Sequence, residues 1–189
     1  MGLEIEDGEI LPANLVIAGI GVIPNTELAD NAGLEVDNGI KIDHCGRTSS
    51  LNIYAAGDCA SFVHPRYDGT IRLESVQNAT DQSTGAVKAM CGETVHYDAL
   101  PWFWSEQYDV RLQMAGLANG HDETVVRGDP DNDRKFSIFY FKSGVLVAVD
   151  AVNSPAEFMF GKKIIIEALQ TDREKLCDPQ TPIKEVIVG

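Results

Sequence analysis

Between Ile53 and Ala56 runs a short apolar stretch, Ile-Tyr-Ala-Ala, that stops abruptly at Gly57-Asp58. A run of that length closed by turn residues suits a buried strand of a parallel sheet. In open parallel sheets, ligands sit just beyond the carboxyl ends of the strands. A glycine there lets backbone approach a ligand closely, and an aspartate offers a carboxylate to a hydroxyl donor. A strand that merely ends in a Gly-Asp turn would carry the same dipeptide. Spacing to other motifs has to decide between the two.

Charge and cysteine use bound the ligand classes. With 189 residues the chain can bury one good core or two modest ones. The net charge of −14 argues against nucleic acid. No apolar run approaches the length that spans a bilayer, and Met1-Gly2-Leu3-Glu4 is not a signal peptide, so no membrane partner is expected. Cys45, Cys59, Cys91 and Cys177 form no C-x-x-C pair, which argues against a zinc ribbon and a redox dithiol. Free thiols in a reducing cytoplasm are the simplest account. His44, His64, His96 and His121 sit far apart in dissimilar contexts, so no metal site is expected.

Along the chain, Leu3-Glu4-Ile5-Glu6 alternates, Asp7-Gly8 signals a hairpin, and Glu9-Ile10-Leu11 resumes the strand before Pro12 breaks the pairing. Leu15-Val16-Ile17-Ala18 reads as a fully buried strand. A short helix is predicted over Thr26 to Asn31, with Gly33 near its end. Asp37-Asn38-Gly39 then joins Leu34-Glu35-Val36 to Ile40-Lys41-Ile42 as a second hairpin. Phe62 to Thr70 reads as a loop. From Ser75 a helical period follows through Val76, Ala79, Ser83, Ala86, Val87 and Met90, with Gly92 at its end. Glu93 to Pro101 is a polar connector and a sensible domain boundary.

The remainder changes texture. Val110 to Met114 alternates, Glu123 to Arg127 reads as a strand, and Ser143-Gly144 separates Phe136–Phe141 from Val145–Val149. Together these predict antiparallel strands in a meander. Ser154-Pro155-Ala156-Glu157 is a capping box with proline at the first helical position, opening a helix through about Gln170. The expected fold is therefore α/β followed by α+β. Residues 1–24 and 25–97 would be two α/β pieces, and 98–189 a domain with an antiparallel sheet and flanking helices. A hairpin and one buried strand with no βαβ unit before them read as the end of a domain, so a missing N-terminal half is expected.

Three motifs in order carry a family resemblance. Thr48 followed by Ile53-Tyr54-Ala55-Ala56-Gly57-Asp58 resembles the second flavin fingerprint of the two-dinucleotide-binding flavoproteins. Arg72-x-Glu74-x-Val76-Gln77-Asn78-Ala79 resembles the segment that closes over the flavin in ferredoxin reductases. Pro101-Trp102-Phe103-Trp104-Ser105-Glu106-Gln107-Tyr108 resembles the start of the C-terminal domain of FAD-dependent ferredoxin reductases of the putidaredoxin and rhodocoxin reductase type. The resemblance implies FAD as cofactor, NAD(P)H as electron donor and a small iron–sulfur ferredoxin as partner. It places Gly57 and Asp58 at the ribityl chain and the backbone of Val76 and Gln77, after Glu74, at the ring. Trp104 would border the flavin, with Trp102 the second choice. A helix N-terminus aimed at the ring would favour negative charge there. Because the flavin does the chemistry, no acid–base pair and no metal are expected in the chain.

Two other readings stay open. The chain could be a non-enzymatic ferredoxin-binding or dimerisation module. It could also belong to a flavoprotein of the disulfide-reductase type, disfavoured because no redox cysteine pair exists. As an isolated piece of a reductase it is expected to be inactive and to bind FAD weakly or not at all.

Overall fold

The computed structural model describes residues 2–188. It opens on the predicted hairpin: β1 (Gly2–Glu4) pairs antiparallel with β2 (Ile10–Pro12), with Leu3 opposite Leu11. Pro12 ends the ladder opposite Gly2 instead of preceding its end. Residues 13–25 then form no strand, and Leu15, Ile17 and Ile20 are exposed. The buried strand expected at Leu15–Ala18 is thus not formed. A parallel strand is buried only when neighbours flank it and helices cover both faces, and none of the described residues does either for this segment.

A short helix α1 (Glu27–Asn31) follows Thr26 as predicted. The Asp37-Asn38-Gly39 turn is present, with Asn38 and Gly39 at positive φ, but its hairpin shrinks to one antiparallel bridge, Val36 to Ile40. The second strand of that turn, β3 (Ile40–Ile42), instead pairs parallel with β4 (Ala60–Val63), which pairs antiparallel with β5 (Thr70–Arg72). Two expectations change here. Ile53 to Ala56 is not a strand; Ile53 is exposed and Tyr54 makes a single bridge to Arg47. The strand comes after Gly57-Asp58, so part of the predicted 62–70 loop is β4 and β5. The apolar run is held as a loop because Thr48 spends its hydroxyl and N–H on it: Oγ1 donates to Ile53 O at 2.9 Å and N–H at 3.0 Å.

Helix α2 (Val76–Met90) begins where the sequence placed it, capped by Ser75, whose Oγ accepts from Asn78 N–H at 3.1 Å. Its buried face is different. Asn78, Gln82, Gly85, Ala86 and Ala89 turn inward, while Val76, Val87 and Met90 are exposed. The inward face is chosen by hydrogen bonding. Asn78 donates to Leu73 O at 3.1 Å and accepts from the Tyr97 hydroxyl at 2.9 Å. Tyr97 is buried with Phe62 and Leu73 of the first unit and Leu100 in the core of the second, so the 93–101 connector is packed at both ends and is not a free linker. His64 fixes it further, its Nε2 lying 3.1 Å from Ala99 O.

The second unit is one antiparallel sheet in the order β6-β7-β10-β9-β8. Its strands are β6 (Trp102–Gln107), β7 (Val110–Gly116), β8 (Glu123–Gly128), β9 (Phe136–Lys142) and β10 (Val145–Val152). The meander is real for β8 to β10, while β7 crosses to pair with β10. The sequence reading did not include β6 as a strand. Helix α3 (Pro155–Glu167) covers one face and fits closely because Gly161 meets Val149, where a Cβ would stand 2.6 Å from Val149 Cγ1. The expected capping box does not form: Ser154 Oγ donates to Val152 O, and Glu157 pairs with Arg127. The helix stops short of Gln170 because Ala168 turns left-handed at φ 51°. A further short helix, α4 (Arg173–Cys177), closes the core with Leu176. No helix among the described residues is long and apolar enough to cross a membrane.

Candidate functional site

The Gly57-Asp58 turn sits at the flank of α2. Residues Gly57–Cys59 form a 3-10 turn, and Gly57 has φ 79°, a conformation that favours glycine. Its N–H donates to Gln82 Oε1 at 2.7 Å, bolting the turn to the helix. A Cβ on Gly57 would lie 3.5 Å from Ala79 Cβ, so backbone and helix are in van der Waals contact there. Asp58 is exposed; its carbonyl accepts from Arg72 Nη1 at 2.9 Å while its carboxylate is left to solvent. The same Nη1 pairs with Glu74 Oε1 at 2.6 Å, and the Arg72 side chain is only 9 % exposed. One guanidinium thus ties the turn to the residue that precedes the Ser75 cap.

At the start of α2, Ser75 takes the N–H groups of Asn78, through Oγ, and Ala79, through its carbonyl. The N–H groups of Val76 and Gln77 have no partner among the described residues and stand at the positive end of a 15-residue helix. Gln77 reaches the other way: its Oε1 lies 3.4 Å from Trp102 N, so the first turn of α2 touches the start of β6.

Trp104 and Trp102 share a face of β6, two residues apart. Their rings stack at 5.3 Å with 29° between planes. Trp102 is the anchored member, packed on Phe158 with Lys162 Nζ 5.1 Å from its ring centre. Trp104 rests half-buried on top of it, opposite Gln113 of β7. Phe103 points to the other face.

Of the residues predicted from sequence, Gly57, Asp58, Glu74, Val76 and Gln77 come together at the N-terminal end of α2. Trp104 joins them at one remove, through Trp102. Gln82 was missed: it lies 25 residues from Gly57, and a mid-helix glutamine gives no local signal of the bond. The buried polar atoms without partners mark the same place. Among the described residues these are Arg72 Nε, Gln82 Nε2, Ser61 Oγ and Ser137 Oγ. The first three border the turn, since Gln82 holds Gly57, Arg72 holds Asp58, and Ser61 lies opposite Arg72 in the sheet. Unsatisfied buried donors are uncommon enough that a cluster points to a ligand or bound water.

Residues 2–83 match the family described as pyridine nucleotide-disulphide oxidoreductase, and residues 102–187 match the reductase C-terminal family. Putidaredoxin reductase CamA of Pseudomonas putida is 48 % identical over 187 residues, 97 % of this chain and 43 % of that protein. The ferredoxin reductase subunit of 5,5'-dehydrodivanillate O-demethylase from a Sphingobium strain is 45 % identical over 98 % of this chain and 45 % of that protein. The chain is similar to these reductases along almost its whole length. Rhodocoxin reductase of Rhodococcus erythropolis, at 45 % identity over 98 % of the chain, is a third relative that it resembles. In three dimensions it superposes on the reductase of the covalent putidaredoxin reductase–putidaredoxin complex with a TM-score of 0.88, covering 96 % of this chain and 43 % of that one. A ferredoxin reductase of the CYP199A2 system from Rhodopseudomonas palustris gives the same TM-score at 42 % identity. The chain spans less than half the length of these relatives, 43 % to 45 %.

Proposed function

We propose that this chain forms one wall of an FAD site in an NAD(P)H-dependent ferredoxin reductase, serving a small iron–sulfur ferredoxin. In that reading residues 1–24 belong to the NAD(P)-binding domain, 25–97 to the FAD-binding domain and 98–189 to the C-terminal reductase domain. The observation that carries it is the convergence at the start of α2: an open carboxylate, two free helix N–H groups and three buried polar atoms without partners.

The donor set fits a flavin nucleotide. Asp58 would accept a hydrogen bond from a ribityl hydroxyl, with Gly57 giving the backbone room to approach. Val76 and Gln77 N–H groups would stabilise negative charge on the ring edge that faces them. FAD, when bound, supplies the carrier that takes a hydride and gives up single electrons. Trp104 would keep water from the ring and present a flat apolar surface to the partner. Arg72 and Gln82 are positioning residues, since they hold the Gly57-Asp58 turn. A ferredoxin-binding module without a flavin is the competing reading.

The test uses a full-length reductase containing this sequence. Asp58→Ala should weaken FAD retention at least tenfold, about the worth of one hydrogen bond to a charged group. Trp104→Ala should slow reduction of the iron–sulfur partner more than reduction of the flavin by NAD(P)H, with little change in Tm. Full flavin occupancy in Asp58→Ala would remove Asp58 from the site. Unchanged half-reactions in Trp104→Ala with a large fall in Tm would make that tryptophan structural.

A further inference from the structure

On the side of β6 to which Phe103 points lies a second cleft, between residues 73–75 of the first unit and the uncovered face of the five-stranded sheet. Its volume is about 280 Å³, and Leu73, Phe103, Met114, Leu117 and Ala148 are among the residues that line it. In this apolar lining stands Asp150, from the middle of β10. Tyr140 on β9 donates to its Oδ2 at 2.9 Å. No lysine, arginine or histidine among the described residues pairs with it. The nearby Glu74, the other carboxylate of the cleft, is already matched by Arg72.

Burial pushes the Asp150 carboxyl above its ordinary range, and burial with the Asp150 hydrogen bond pushes the Tyr140 phenol up to about 12. A half-buried carboxylate without a counter-ion is costly to the fold, and such groups are ordinarily paired. Asp150 has the Tyr140 hydroxyl but no counter-ion among the described residues, and it borders an open cleft. A bare metal ion does not suit it, because a single carboxylate in an apolar wall offers too few oxygen ligands. Phe103 supplies an aromatic surface of the kind that attracts an organic cation.

We propose that this cleft binds a small organic ammonium ion with an apolar or aromatic body, its nitrogen on Asp150 and its body against Phe103, Met114 and Leu73. The Tyr140 hydroxyl holds the carboxylate in place and leaves Oδ1 for the ligand. The cleft borders the proposed flavin site, since Glu74 and Ser75 line it, but its anchor Asp150 has no part in the flavin reading, so loss of the amine preference in Asp150→Asn tests this site alone.

The probe is 2-phenylethylammonium, titrated into the chain and followed by calorimetry. Saturable binding is expected, with the isosteric alcohol 2-phenylethanol weaker by at least about tenfold, the usual worth of a charge-assisted bond. Asp150→Asn keeps the shape and an acceptor for Tyr140, and should abolish the preference for amine over alcohol. Tyr140→Phe, which spares the carboxylate charge, should keep it. General attraction to an acidic protein is controlled for, since Asp150→Asn removes only one of 29 acidic residues. Should Asp150→Asn fail to fold, Phe103→Leu at the rim takes its place and should weaken the amine about threefold or more. Equal binding of amine and alcohol, no saturation at millimolar amine, or an undiminished preference in Asp150→Asn (or unchanged affinity in Phe103→Leu) would overturn the site.

Discussion

In the second unit the largest fully buried side chains are Phe139, Phe141, Ile164, Leu176, Val149 and Val186, with Ser137 the small polar one, while around α2 and β4 they are His64, Asn78 and Ser61. The larger sheet closes on carbon. The smaller unit closes on hydrogen bonds, with Phe62, Leu73 and Tyr97 as its compact apolar cluster. Each arrangement has a consequence for stability. An apolar core loses free energy in proportion to the volume removed, whereas a buried amide or imidazole is sensitive to the loss of a single partner. The polar unit also carries the Gly57-Asp58 turn and the start of α2. Side chains that fix backbone positions through directional bonds suit a site where a turn must be held still.

A buried charge in the second unit runs against this contrast, and it gives the largest expected effect. Arg127 sits within the carbon core, 5 % exposed, pairing with Glu157 at 3.3 Å and donating to the carbonyls of Leu176, Asp178 and Thr181. It fastens the C-terminal segment to β8. Arg127→Met leaves Glu157 and those carbonyls without their donor. A loss of about 3–5 kcal/mol is expected, as for breaking a buried pair by removing one partner. Urea unfolding of the variant measures it. A loss below about 1 kcal/mol would mean that the C-terminal segment holds without the arginine.

A smaller effect is expected in the polar unit. Asn78→Ala strands Leu73 O and the Tyr97 hydroxyl together, at a cost of about 2 kcal/mol. Amide exchange should show that loss around residues 73–78 and 97 and leave β7 to β10 protected. If protection falls equally in both units, they unfold as one and the contrast drawn above is not energetic.

How much of this could be read from sequence follows the same division. Alternation placed β7 and β9 because an antiparallel strand with one buried face writes its burial into every second residue, and the Ser143-Gly144 turn placed β10. The helical period from Ser75 placed the start of α2, and resemblance to one family grouped Gly57, Asp58, Val76 and Gln77 as an expected site. Periodicity failed on the inward face of α2, because Asn78 and Gln82 are buried for their hydrogen bonds and look like surface residues. It failed again at Leu15–Ala18, where an apolar run lacks neighbours to bury it. Ser154 and Glu157 had the right spacing for a capping box, but Arg127, distant in sequence, claims the glutamate. Arg72 was visible only as part of a motif, and nothing local reveals its bond to the Asp58 carbonyl.

The smallest expected effect tests whether the polar unit is held by hydrogen bonds in one protonation state. His64 is 1 % exposed and lies between two backbone groups. Arg66 N–H donates to its Nδ1 at 3.2 Å, so that nitrogen is an acceptor, and Nε2, 3.1 Å from Ala99 O, must carry the proton. Only the neutral ring can make both bonds. Burial accordingly lowers its pKa below the ordinary value of 6.5, outweighing the upward pull of the Ala99 carbonyl. The unfolded chain therefore takes up this proton at a higher pH than the folded one. Stability from His64 is full above pH about 6.5 and is lost as pH falls through that value toward the folded-state pKa. The loss should approach about 1 kcal/mol, the worth of the bond that protonation forbids. Stability followed from pH 7.5 to 5 in wild type and in His64→Gln isolates the term, because glutamine does not titrate. The wild-type curve should fall more steeply below pH 6.5, with amide exchange at residues 97–100 rising first. Parallel curves would show that the imidazole is protonated without cost, and that the connector is held by Tyr97 and Leu100 alone.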